Sequence, residues 1–297
     1  MTEPALTRYV DRYTDQRWRT GETLRQTALD QRLTLLQFAT SFGQRRVETL
    51  GKANVLTWLE SIRHLAPSTR RNKLSVVKGF CRWLAAEKVV KRDPTVGVKS
   101  PRQPRALPKV FAATEMATLM ASLPDARARL VVLLMVQQGL RSGEVAGLEL
   151  GDISETQLVV RRGAKGGHER ALPLLSEVRA AMNVYFGERS MRAGPLVQNY
   201  QHPGRGLTSH TVSHLVRQWV KEAGVKKGPH DGRSAHGLRR TAATDMFDAG
   251  ADIMDVAEAL GHANLASVRH YAKYRTAKLA AAMGGRSYGS GGAETAS

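Results

Sequence analysis

Six side chains in the second part of this 297-residue chain, Arg141, Lys165, His236, Arg239, His262 and Tyr271, are of the types that a displacement at phosphorus requires. They stand in Gly139-Leu140-Arg141-Ser142-Gly143-Glu144, in a glycine-flanked turn around Lys165, in His236-Gly237-Leu238-Arg239, and in Gly261-His262 with Tyr271 nine residues on. Cleaving a phosphodiester through an enzyme nucleophile needs an attacking oxygen, fixed positive charge for the transition state, and a proton for the departing alkoxide. A phenol with its ordinary pKa near ~10 attacks poorly at neutral pH unless cations lower that value or a base takes the proton. Arginine suits the charge-stabilising task because its planar fork grips two phosphate oxygens and never loses its proton. Removing one such donor typically costs ~2.7 to 4 kcal/mol of transition-state stabilisation.

Each residue taken alone has a plainer reading. Arg141 follows Gly139 at a helix break, where an arginine is commonly a cap or a solvated side chain. Lys165 alone is a hairpin lysine, His262 a residue after a helix end, and Tyr271 a half-buried aromatic. His236 and Arg239, three apart, share a helix face by geometry. Tyr274 is a rival nucleophile, and the spacing from His262 favours Tyr271. The order and spacing of the whole set carry the chemistry.

The elements that must position these residues can be read from hydrophobic periodicity. Residues 23–42 carry Leu29, Leu33 and Leu36 at helical spacing, residues 55–62 form a shorter helix, and Pro67-Ser68-Thr69 opens another with Leu74, Val77, Cys81 and Leu84 on one stripe. Asp93-Pro94 ends this all-helical block, residues 1–99. Residues 100–112 form a linker in which Pro101, Pro104 and Pro108 alternate with Arg102, Arg105 and Lys109, too proline-rich for helix or sheet. It suits a segment running along DNA as well as it suits an ordinary surface connection. Residues 113–283 form the second domain: Glu115 supports a helix start, residues 126–138 a buried helix, and residues 157–162 and 170–174 two strands joined through a hairpin at Lys165. Helices follow at 176–186, 208–222, 236–248, 253–260, 265–274 and 276–282, and 284–297 is a flexible tail. That tail ends in small residues, read either as a frayed terminus or as a protease-recognised tag.

Charge narrows the partner. The formal net charge is +19, with 45 Lys and Arg against 26 Asp and Glu. Residues 1–108 hold 21 of the basic residues against 9 acids, so the smaller segment carries the larger excess. A globular chain this basic favours a polyanion, with nucleic acid ahead of a membrane surface. The candidate phosphate contacts are Arg70, Arg71, Lys73, Lys78, Arg102, Arg105 and Arg240. No apolar run is long enough to span a bilayer and no signal peptide opens the chain, so a cytoplasmic protein is expected. The single cysteine, Cys81, excludes an intrachain disulfide and is read as packing. His210 and His214 are spaced like metal ligands, yet they lack an intervening glutamate or a nearby thiolate and are read as a polar surface pair; no metal or other cofactor is expected. His230 in Gly228-Pro229-His230-Asp231-Gly232 imitates the start of a His-x-x-Arg motif, with Arg233 three residues on, and is read as loop.

The ordered set Gly-Leu-Arg-x-x-Glu, hairpin Lys, His-Gly-Leu-Arg and Leu-Gly-His with Tyr nine residues on resembles the tyrosine recombinases, the phage integrase family. The resemblance implies a mainly α protein: an all-helical core-binding domain and a mixed α/β catalytic domain with a small antiparallel sheet, closing on DNA as a clamp. It implies that Arg141 and Arg239 hold the scissile phosphate, Lys165 protonates the 5′ oxygen, His236 assists as acid-base or hydrogen-bond partner, His262 binds a phosphate oxygen, and Tyr271 forms a 3′-phosphotyrosyl link. Glu144 fits the acidic companion that orients the first arginine. Arg240 stands where many relatives have a second histidine. The ester energy is kept in the covalent link, so neither ATP nor metal is required, in agreement with the lack of a phosphate-binding Gly-x-x-x-x-Gly-Lys-Ser/Thr loop. Four protomers on paired double-stranded attachment sites, monomeric when free, would pass through a Holliday junction, with a directionality or DNA-bending protein as a further partner. A type IB topoisomerase and a non-catalytic DNA-binding protein are the alternatives. Of the biological roles, integration or excision of a phage or mobile element is preferred to Xer-like resolution.

Overall fold

The computed structural model describes residues 6–102, 109–161, 169–187, 193–229 and 231–261. Arg105, Lys165, His230, His262, Tyr271 and Tyr274 lie outside them, as do the hairpin tip, the expected helices after residue 262 and the tail. Internal contacts divide the chain into two compact units, Met1–Arg105 and Ala106–Ser297.

In the first unit, α1 (Thr7–Arg19), α2 (Arg25–Phe42), α3 (Lys52–Ser61) and α4 (Pro67–Ala86) surround one apolar core. Pro67 sits at the start of α4, where its missing N–H is not needed and its restricted φ suits the first turn. Leu74, Val77, Cys81 and Leu84 of that helix are all fully buried, as their spacing predicts. The ring of Tyr13 lies 5.4 Å from Phe80, and Phe38 meets Trp58 edge-on at 5.5 Å. Burial, then the charge of Asp93, raises the Cys81 thiol pKa, so the group stays protonated.

The stripe on α2 is a correction. Leu29 and Leu33 are exposed, and the face turned inward carries Ala28, Leu35, Phe38, Ala39 and Phe42. Both rows have helical spacing. The row with two phenylalanines removes more apolar surface from water, each such side chain contributing about 1.5–3 kcal/mol, and so it takes the core.

In the second unit, α5 (Ala113–Ala121) leads to α6 (Ala126–Val136), whose start is capped by Asp125 accepting the Ala128 N–H at 2.7 Å. From Leu130 to Met135 every residue of α6 is buried, the signature of a helix covered on all sides. It ends two residues before the expected 138. After α7 (Ser142–Gly147), strands β1 (Gln157–Val160) and β2 (Arg170–Pro173) pair antiparallel, with Leu158 opposite Leu172 and Val160 opposite Arg170. The helices α8 (Ser176–Gly187), α9 (Ser209–Glu222), α10 (Ala235–Asp248) and α11 (Ile253–Ala259) complete the described part. Met135 and Trp219 are core. The protein is mainly α with a small antiparallel sheet. Among the described residues no helix is long and apolar enough to cross a membrane.

Candidate active site

The site starts with the way α6 gives over to α7. Gly139 takes a φ of +65°, a conformation that side-chain-bearing residues rarely adopt, and a Cβ there would lie 2.6 Å from Leu260 Cδ2. The chain turns against the end of α11, Leu140 is buried, and Arg141 becomes the residue before α7 with an extended backbone. Its N–H donates to Glu144 Oε2 at 2.8 Å, and its Nη1 donates to Glu144 Oε1 at 2.8 Å. The Glu three residues on thus serves both ends of the same arginine.

A second scaffold sets the start of α10. Asp231 accepts hydrogen bonds from Lys226 Nζ at 3.1 Å and from the N–H groups of Lys227, Gly228 and Arg233 at 2.8, 3.1 and 2.9 Å. Burial raises this carboxyl, but those bonds outweigh it and hold it well below the usual carboxylate range. Arg233 then reaches Glu115 through bonds of 2.6 to 3.1 Å, and Glu115 also accepts the Ala112 N–H at 2.9 Å. This ties the loop to α5. Ser234 caps α10 by accepting the Gly237 N–H at 3.3 Å, which places His236 and Arg239 in the first two turns.

Arg239 and Arg141 converge on one carboxylate. Arg239 Nη1 donates to Glu144 Oε2 at 3.3 Å and to the Gly139 carbonyl at 2.6 Å, while its Nη2 donates to the Leu260 carbonyl. Arg141 Nη2 reaches the Gly261 carbonyl at 3.5 Å. A third guanidinium joins them. Arg170 donates through Nη1 and Nη2 to both oxygens of Glu144, at 3.2 and 3.1 Å, and through Nε to the Ala259 carbonyl at 2.8 Å.

Glu144 supplies one negative charge against three positive ones. Burial raises its pKa, but the hydrogen bonds from Arg170 and the Arg141 N–H and the charges of Arg170 and Arg239 prevail, so the carboxyl is held below its ordinary value and stays ionised. The side chains of Glu144, Arg170 and Arg239 are 10%, 6% and 4% exposed, and that of Arg141 is 41% exposed. A cluster carrying this surplus, with one guanidinium open to solvent, is suited to an anion. His236 keeps contact with solvent, yet burial of its ring and then the Arg240, Arg239 and Arg141 guanidiniums push its pKa down to about 4. Its imidazole is therefore neutral at pH 7, able to accept a proton or a hydrogen bond.

The structure thus brings Arg141, Glu144, His236 and Arg239 together. Arg170 was missed, although a signal existed: in a strand, residues two apart share a face, so Arg170 shares one with the buried Leu172. An inward arginine calls for a carboxylate partner. The anchoring roles of Arg233 and Asp231 were likewise not legible. Arg240 is partly buried beside this site. In the other unit, Arg71 and Arg102 are exposed and Arg70 is partly buried, while Lys73 donates to Gln37 and Lys78 to the Val98 carbonyl, each at 2.8 Å. His210 and His214 are both exposed on α9, and the described residues hold no cluster of three or more potential metal ligands.

Residues 109–278 match the model of the phage integrase family. The chain is 29% identical over 219 residues to the tyrosine recombinase XerC of Myxococcus xanthus, covering 69% of this chain and 71% of that protein. Many solved structures share its fold. The XerH site-specific recombinase bound to palindromic difH substrate, in a post-cleavage complex, superposes with a TM-score of 0.75 at 19% identity, covering 95% of this chain and 97% of that one. A lambda integrase tetramer bound to a Holliday junction does so with a TM-score of 0.72 at 16% identity, covering 87% and 77%.

Proposed function

This chain belongs to the phage integrase family of tyrosine recombinases, and from that membership we propose that it is a site-specific DNA recombinase whose Tyr271 attacks the scissile phosphodiester. The observation that carries the proposal is the convergence of Arg141 and Arg239 on Glu144, with the neutral His236 beside them.

Arg141 and Arg239 neutralise the non-bridging oxygens as charge builds on the phosphoryl group. The bond formed is between Tyr271 Oη and phosphorus, and the bond broken is to the 5′ oxygen, which takes its proton from Lys165. The neutral imidazole of His236 serves as hydrogen-bond partner or proton acceptor rather than as proton donor at pH 7. His262 binds a phosphate oxygen. The 3′-phosphotyrosyl link keeps the ester energy, and a 5′ hydroxyl from a partner strand reverses the step. Double-stranded DNA attachment sites are the substrate, four protomers act on two sites through a Holliday junction, and free protein is monomeric. Arg70, Arg71, Lys73, Lys78, Arg102, Arg105 and Arg240 contact phosphates.

A duplex nicked near the cleavage site traps the covalent step, because the short 5′ fragment diffuses away before it can rejoin. The native chain is expected to remain on denatured DNA and Tyr271→Phe to leave none; equal adduct from both would remove the nucleophile assignment. Relaxation of supercoiled DNA with no recombinant product would point instead to a topoisomerase. We extend the proposal to integration or excision of a phage or other mobile element, aided by a directionality or DNA-bending protein. Sequencing the trapped ends tests the role: ends at element boundaries support it, and ends at a chromosome-resolution site overturn it.

A further inference from the structure

The reaction just described uses two of the three guanidiniums on Glu144 and leaves Arg170 without a part. Its side chain is 6% exposed, and each of its nitrogens is engaged: Nε on the Ala259 carbonyl, Nη1 on Glu144 Oε1 and Nη2 on Glu144 Oε2. Three of its five N–H donors are used in these bonds, and the side chain is almost wholly shut off from solvent, where a phosphate would approach. Stability is a poor explanation for its presence, since buried ion pairs are often replaceable by apolar residues without loss.

Geometry gives a better one. The terminal torsion of a glutamate is broad, so the plane of an unconstrained carboxylate is poorly defined. Arg141 donates a side-chain bond to Oε1 alone and Arg239 to Oε2 alone, whereas Arg170 spans both oxygens in a fork-to-fork pair. Arg170 is itself held at three points. It faces inward from β2 opposite Val160, its Nε is tied to the end of α11, and Gly261 leaves it room: a Cβ at Gly261 would lie 2.6 Å from Arg170 Nη1. We infer that Arg170 is a positioning residue for DNA cleavage, its two bonds to Glu144 fixing the plane of that carboxylate and so the directions in which Arg141 and Arg239 present their guanidiniums. This rests on the recombinase reading of the site.

The experiment is single-turnover cleavage of the nicked duplex, with rates taken per folded molecule from circular dichroism and DNA affinity measured separately. Arg170→Lys keeps the positive charge and loses the fork; Arg170→Gln loses both. Both are expected to cleave about 10²-fold more slowly, the scale that an ångström of misplacement produces, with unchanged affinity for DNA. Because the effect passes through Glu144, the double variant Arg170→Lys with Glu144→Gln should be no slower than Glu144→Gln alone. The acid limb of the pH–rate profile in Arg170→Lys should also move to higher pH, because Glu144 loses the hydrogen bond that lowers its pKa most.

Native cleavage by Arg170→Lys overturns the inference, as does a double variant whose loss is the product of the single losses. A reduced folded fraction with a native rate per folded molecule also overturns it, because it marks a purely structural role. If Arg170→Gln does not fold, Arg170→Lys decides alone. Failure of the native chain to form any adduct is a separate result that removes the recombinase reading itself.

Discussion

Glu144 and Arg170, 26 residues apart in the chain, meet through paired bonds of 3.2 and 3.1 Å, and the register of β2 against β1 brings them together. Val160 lies opposite Arg170, so the alternation that buries Leu158 and Leu172 also sends the arginine inward. That one carboxylate then organises the two arginines assigned to the phosphate. The consequences reach stability, rate and pH dependence.

Removing the carboxylate leaves buried guanidiniums uncompensated. Glu144→Ala is expected to lower unfolding free energy by about 3–5 kcal/mol, the usual cost of breaking a buried pair from one side. Urea denaturation measures it, and a change of less than about 1 kcal/mol, the scale of a surface pair, would show that the cluster is not held by this residue.

Gly261 takes a φ of +58° and packs against the Arg170 guanidinium. Gly261→Ala is therefore expected to cost about 1–3 kcal/mol from backbone strain. It should also slow cleavage, since the new methyl group displaces Arg170. Thermal unfolding and single-turnover rates check the two effects, and a variant with native stability and native rate would contradict both.

The His236 pKa is lowered to about 4 from its ordinary value of 6.5, which sets the sign of its linkage. Between those values the unfolded chain binds more protons than the folded one, so the contribution of His236 to stability is fully present above pH ~6.5 and is lost as pH falls toward ~4. Glu144, whose pKa is also lowered, acts in the same direction at still lower pH. Titration of the His236 ring protons by NMR should show a midpoint well below the ordinary histidine range. A midpoint near ~6.5 would mean that the neighbouring guanidiniums do not act on the ring.

DNA affinity should fall steeply with salt. With ~6 to 10 phosphate contacts, displaced counterions weaken binding ~10³ to 10⁵-fold between ~50 and ~200 mM salt. Fluorescence anisotropy across that range measures the slope, and a nearly flat response would count against a phosphate-gripping surface.

Much of the architecture was legible in local pattern. The burial of Leu74, Val77, Cys81 and Leu84 on α4, the covered run of α6 and the pairing of β1 with β2 follow from spacing, because a helix or strand must turn its apolar face inward. Where two apolar rows competed on α2, spacing could not choose, and packing against the other helices turned Leu29 and Leu33 outward.

The same boundary runs through the site. Arg141 with Glu144, and His236 with Arg239, were visible in the chain because each pair lies three residues apart, within one helical turn. These pairs, the basic character and the family resemblance can be read from the residues alone, since all are properties of residue type and short separation. That Arg170 joins Glu144, that Arg233 ties the loop before α10 to Glu115, and that the His236 pKa is pushed below its ordinary value follow from the folded arrangement alone. Each of those depends on charges brought together from distant segments, and electrostatic interaction is set by distance in space and by how much water the fold excludes.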